Sequence, residues 1–117
     1  MFRENTPIYQ QIKEIMIQRI ISGVWAEDEL IPSVRSMAKE LGVNPNTVMR
    51  TVTELQAQEI LVIDRGIGNN LARGAKEKLR IEGVKSFTAK EVPIIVSKAK
   101  MLGMKKEKLI ELIEGEW

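Results

Sequence analysis

Residues 32–58 read PSVRSMAKELGVNPNTVMRTVTELQAQ, and this stretch decides the fold. Val34, Met37, Ala38 and Leu41 recur at helical spacing, Gly42-Val43 interrupts the pattern, and Val48, Val52 and Leu55 restart it at i, i+4 and i+7. The turn between the two segments has its own chemistry. Gly42 can take the positive φ that ends a helix, Asn44 is a good N-cap, and Pro45 suits a first helical position, where a missing N–H costs nothing. Ala38 is small where two helices would cross closely. The pattern is a helix-turn-helix. On its second helix Asn46, Thr47, Arg50 and Thr53 project away from the apolar stripe, and such side chains can read base edges or grip phosphates.

On the N-terminal side, Thr6-Pro7 reads as a helix start, with Thr6 the cap. Ile8, Ile12, Ile15, Met16 and Ile20 follow on one face, and Ser22-Gly23 closes the helix. Residues 24–31 read as a loop, with Trp25 and Leu30 as anchors into the core; a lone Trp between helices is read as packing rather than as a base-stacking platform. Ser33 caps the next helix. Arg35 then falls in a first turn, where the helix dipole disfavours a cation. Either a phosphate beside that helix end or an acid of Glu27-Asp28-Glu29 would offset the penalty.

On the C-terminal side, the β-branched run 60–63, the turn cluster DRGIGN at 64–69 and a returning strand at 70–73 form a hairpin. A hairpin directly after a helix-turn-helix makes a winged helix, with Arg65 at its tip placed to enter a minor groove or touch a phosphate. Past Gly74 lysine replaces arginine. Residues 75–85 read as helical but interrupted by Gly83. Thr88-Ala89-Lys90-Glu91 matches a capping box ahead of a stripe of Val92, Ile95, Val96, Ala99 and Leu102 that ends at Gly103, with Pro93 leaving open a start near Val92 or a kink. Leu109, Leu112 and Ile113 mark a last helix over 105–114. The fold class is mainly α with a small β-hairpin: a winged helix-turn-helix DNA-binding domain over 1–73 and a short helical dimerisation region over 74–117. Three short helices make little core alone, so their stripes need a second copy of the chain or the N-terminal domain as partner.

Composition narrows the function. The 117 residues hold no cysteine and no histidine, which removes disulfides, the usual zinc ligands and the commonest general base. No spacing of carboxylates proposes a catalytic pocket. The chain is therefore read as no enzyme, with no metal site and no cofactor. The N-terminus has no signal pattern and no apolar run reaches membrane-spanning length, so a cytoplasmic protein is expected. The net charge of +2 is unevenly spread: residues 1–73 carry eight Lys/Arg against nine Asp/Glu, residues 74–117 ten against seven. Such a balance argues against purely electrostatic DNA binding, which depends on neutralised phosphates. It leaves specific binding open if Arg35, Lys39, Arg50 and Arg65 share one face.

The segments PIYQQIKEIMIQRIISG, LIPSVRSMAKELGVNPNTVMRTVTELQAQEIL and DRGIGNNLA resemble the N-terminal winged helix of GntR-type bacterial transcription regulators. VPIIVSKAKMLGM and KEKLIELI are similar to the short C-terminal part of the small YtrA-type subfamily. The resemblance spans essentially the whole chain. It implies a homodimeric DNA-binding regulator, a repressor rather than an activator, on a palindromic duplex operator. The terminal helices would serve dimerisation and leave no room for a large effector domain; a chain this small either takes a small-molecule effector in a crevice at that interface or senses nothing and is controlled by its own abundance. It carries DNA contacts to Arg35, Asn44, Asn46, Thr47, Arg50, Arg65 and Gly66. There are four departures from the family pattern: Pro45 and Met49 stand where arginines are common, Glu59 where a glycine ends the recognition helix, and Asn70-Leu71 where an aromatic-valine pair is usual. The alternative reading is a winged-helix protein-interaction module that does not bind DNA.

Overall fold

The computed structural model describes residues 2–117, which fall into two compact units, 2–80 and 81–117. In the first, α1 (Ile8–Ile21) and α2 (Val34–Leu41) both pack on α3 (Pro45–Ala57), followed by β1 (Leu61–Asp64), β2 (Gly68–Leu71) and the start of α4 (Ala75–Ser86). Their apolar faces meet in one core that includes Ile12, Met16, Ile20, Met37, Val48, Val52, Leu55, Ile60 and Leu71. Trp25 is buried within it, as the sequence implied. Among the described residues no helix is long and apolar enough to cross a membrane.

The helix ends around the turn follow local chemistry closely. Ser33 Oγ accepts from the Ser36 N–H at 3.1 Å and Asn44 Oδ1 from the Asn46 N–H at 2.8 Å. Gly42 takes φ +67°, and the Val43 N–H reaches back to the Ala38 carbonyl at 3.0 Å. The end of α3 repeats this motif without glycine. Glu59 adopts φ +61°, its N–H donates to the Gln56 carbonyl at 3.0 Å, and the Ile60 N–H donates to the Leu55 carbonyl at 2.9 Å. The two bonds define a Schellman ending, with Leu55 and Ile60 supplying its apolar contact. A side chain in the left-handed region carries a penalty of roughly 1–2 kcal/mol. Glu59→Gly is expected to recover about 1 kcal/mol of it, read as a rise in the urea midpoint with an unchanged slope.

Several boundaries differ from the sequence reading. Thr6 does not cap α1: the cap position is Pro7, without a side-chain bond. Buried Gln11 instead ties the preceding segment to the helix, accepting from the Arg3 N–H at 2.6 Å and donating to the carbonyls of Arg3 at 2.7 Å and Thr6 at 2.8 Å. The segment 24–31 is more than a loop. Asp28 and Ile31 donate to the carbonyls of Leu71 and Asn69, Leu71 donates to that of Glu29, and Leu30 bridges Asn70, so this segment covers the free edge of β2. Strand alternation then points Leu30 outward, 51% exposed, rather than into the core. The hairpin is tighter than expected. It pairs Leu61 with Leu71 and Asp64 with Gly68, leaving Arg65-Gly66-Ile67 as its turn, and Ile60 belongs to the helix ending rather than to the strand.

Helix α4 runs through Gly83 uninterrupted and enters the second unit at Ile81. The capping box at Thr88 does not form. Residues Phe87–Glu91 make a π-helical turn in which the Val92 N–H donates to the Phe87 carbonyl, and α5 (Val92–Met101) follows directly. Pro93 explains the wide turn. It lacks an N–H and its ring would crowd the carbonyl four residues back, so a shifted hydrogen-bond ladder accommodates it. Gly103 closes the segment at φ +73°, and α6 (Lys106–Glu116) starts and ends later than the predicted 105–114. No side chain of α5 or α6 is buried, and Val92, Ile95, Val96, Leu112 and Ile113 stand between 37% and 49% exposed.

Candidate nucleic-acid interface

Helix α3 buries Val48, Thr51, Val52 and Leu55, which fixes the opposite face outward. On that face Asn46, Arg50 and Thr53 are exposed and Thr47 is half-buried. The helical period puts Asn46, Arg50 and Thr53 on one line, with Thr47 beside it. Asn44 is committed differently: its carbonyl oxygen caps the helix, so only its amide N–H groups stay available. Arg65 and Gly66 occupy the hairpin turn, both exposed, with Gly66 at φ +79° and the Ile67 N–H closing the turn on the Asp64 carbonyl at 3.0 Å. The hairpin is tied to α3 by Gln56, whose amide donates to Asn69 Oδ1 at 2.7 Å, and by Leu71, buried in the core. Asn70 turns to Asp64, donating to its carboxylate at 3.4 Å. The Asn70-Leu71 pair therefore anchors the hairpin through one apolar and one polar contact.

The charge balance resolves into two sets of cations. Arg3 pairs with Glu14 at 2.9 Å, Lys13 with Glu54 at 3.5 Å, Arg73 with Asp28 at 2.9 Å, and Arg19 grips Glu40 through both terminal guanidinium nitrogens, Nη1 and Nη2. The hydrogen bond from Arg19 holds the Glu40 carboxyl below the usual carboxylate range. Glu27 accepts from the Lys76 backbone N–H at 3.2 Å. Among the described residues, Arg35, Lys39, Arg50 and Arg65 have no carboxylate within 4.0 Å. Asp28 and Glu27 of the 27–29 loop are thus drawn to Arg73 and to the start of α4, and Arg35 keeps an unbalanced charge in the first turn of α2. Within residues 1–73, the cations that no carboxylate reaches lie on the two helices of the helix-turn-helix and on the hairpin tip.

One contact near Arg50 was invisible in the sequence. The Arg50 guanidinium carbon lies 3.6 Å from the centroid of the Tyr9 ring on α1. The partners are 41 positions apart, and no local pattern joins them.

This fold and this exposed helix define a winged helix-turn-helix protein. Residues 8–70 match the family described as bacterial regulatory proteins, gntR family, and the chain belongs to that family. It is 33% identical over 112 residues to the HTH-type transcriptional repressor YtrA of Bacillus subtilis (strain 168), covering 96% of this chain and 85% of that protein. Among solved structures, a GntR family transcriptional regulator from Listeria monocytogenes superposes with a TM-score of 0.81 at 32% identity, over 97% of this chain and 98% of that one. The DNA-binding domain of AraR in complex with operator ORX1 matches with a TM-score of 0.58 at 26% identity, over 62% of this chain and 93% of that one.

Proposed function

We propose that this chain is a cytoplasmic, sequence-specific DNA-binding transcriptional regulator, a repressor, that acts as a homodimer on a palindromic operator. The observation that carries the reading is the sorting of the cations within residues 1–73: Arg35, Lys39, Arg50 and Arg65 are left unpaired on the helix-turn-helix and wing, while Arg3, Lys13, Arg19 and Arg73 pair with Glu14, Glu54, Glu40 and Asp28. A slightly acidic half-chain can then present a locally positive surface. Helix α3 would enter the major groove, with Asn46, Thr47 and Arg50 reaching base edges or phosphates and the Asn44 amide beside them. Arg35 would meet a phosphate, and Arg65, with Gly66 allowing close approach, would reach in from the wing. The structural neighbour solved in complex with an operator supports DNA binding by this fold, and the relative named as a repressor supports repression. The C-terminal region from residue 74 would form the dimer through the exposed stripes of α5 and α6, where a small-molecule effector could also sit.

Selection of bound duplexes from a random pool tests the reading. The expected product is an inverted repeat whose half-sites lie about one helical turn, or a multiple of it, apart. Sedimentation should give twice the 13.3 kDa chain mass. Failure to enrich any sequence would instead favour a winged helix that binds protein.

A further inference from the structure

Tyr9 stands in the first turn of α1, and its ring lies against the flat face of the Arg50 guanidinium, 3.6 Å from centroid to carbon. The placement is fixed from the backbone. Thr51, fully buried next to Arg50, donates its hydroxyl to the Tyr9 carbonyl at 2.9 Å, tying the start of α1 to α3 one residue from the arginine. Lys13, one turn further along α1, takes Glu54 at 3.5 Å. Glu54 is the acid four residues after Arg50 and would otherwise be its natural partner along α3. Helix α1 thus supplies both a face for the arginine and a competitor for the carboxylate that would occupy it.

The chemistry of the two possible partners differs. A carboxylate takes two N–H groups of a guanidinium in a bidentate pair and neutralises it. An aromatic face attracts the cation through its quadrupole and leaves all five in-plane donors and the full charge outward. We infer that Tyr9 is a positioning residue for Arg50, holding its donor fork ready for nucleic acid before binding. The inference rests on the DNA-binding reading above. Ordering the arginine in the free protein reduces the side-chain entropy lost on contact.

The test uses the full chain and a duplex enriched from the random pool. Tyr9→Leu is expected to weaken binding about two- to fivefold. Tyr9→Phe, which keeps the ring face, restores the affinity. In an Arg50→Ala background Tyr9→Leu adds no further loss. In the free protein, proton resonances of the Arg50 side chain should be shifted upfield by the ring, retained in Tyr9→Phe and lost in Tyr9→Leu, with thermal melts choosing a temperature where each variant is folded. Four results would overturn the role: undiminished affinity in Tyr9→Leu; a Phe variant as weak as the Leu variant, which makes the hydroxyl a direct DNA contact; a Leu defect that persists without Arg50; or no ring shift. If the unmodified chain enriches no duplex, the DNA reading itself falls. Enrichment with undiminished affinity in Tyr9→Leu removes the positioning role alone.

Discussion

Arg50→Ala is expected to weaken binding to the selected duplex by about 1–3 kcal/mol, the range of a bidentate base contact. Arg50 is the one cation on α3, it is exposed, and among the described residues no carboxylate lies within 4.0 Å of it. Its donors are therefore available without first breaking an ion pair, so the affinity lost on truncation is not offset by a carboxylate set free. The form of the loss identifies the contact. If Arg50 reads a base, the selected duplex suffers, a scrambled duplex hardly changes, and discrimination at one position relaxes. If it grips a phosphate, both duplexes weaken alike and the slope of log affinity on log salt becomes shallower by about 0.9. Fluorescence anisotropy across a salt series separates the two. Unchanged affinity and slope would remove Arg50 from the interface. The variant also loses its stack on Tyr9, worth about 0.5–1 kcal/mol at an exposed site, so binding is compared where both proteins are folded.

The parts of this molecule that were legible in its sequence are those whose causes lie within a few residues. Ser33, Gly42 and Asn44-Pro45 each act on a backbone group at most four positions away, and the helices they bound formed where the pattern put them. The exposed face of α3 followed from the buried one. What failed to show was contact between distant segments. Residues 28–31 pair along β2 although some forty positions separate them, and nothing in AEDEL announces a strand. The capping-box signal at Thr88 was overruled by Pro93, whose demand on the preceding turn is met by widening it. The glutamate side chain itself gave no sign of a left-handed backbone at position 59, since it has no preference for it; only the family's glycine there pointed to that geometry, which the helix ending imposes. At the interface the candidate side chains were readable as exposed polar groups. Which cations remain unpaired was not, because it depends on Arg73 meeting Asp28 across 45 positions and on Lys13 reaching Glu54.

Leu55→Ala should have the largest effect on stability, a loss of about 2–5 kcal/mol. Leu55 is fully buried, and three features converge on it. It is the last core residue of α3, its carbonyl accepts the Ile60 N–H that closes the helix, and its side chain packs in the core that holds Ile60 and Leu71. The cavity would open where the recognition helix hands over to the wing, and Gln56, which ties Asn69 to α3, is the next residue. A unit of this size has roughly 0.05–0.15 kcal/mol of stability per residue, so the variant is expected near the edge of unfolding at ordinary temperature. Leu55→Met keeps most of the volume and should cost under about 1.5 kcal/mol. Urea titration followed by circular dichroism gives both numbers. Hydrogen exchange adds the location: in Leu55→Ala the amides of β1 and β2 should lose protection together with the last turn of α3. An alanine variant within about 1 kcal/mol of the parent would mean that the α3-to-wing junction does not share the core described here.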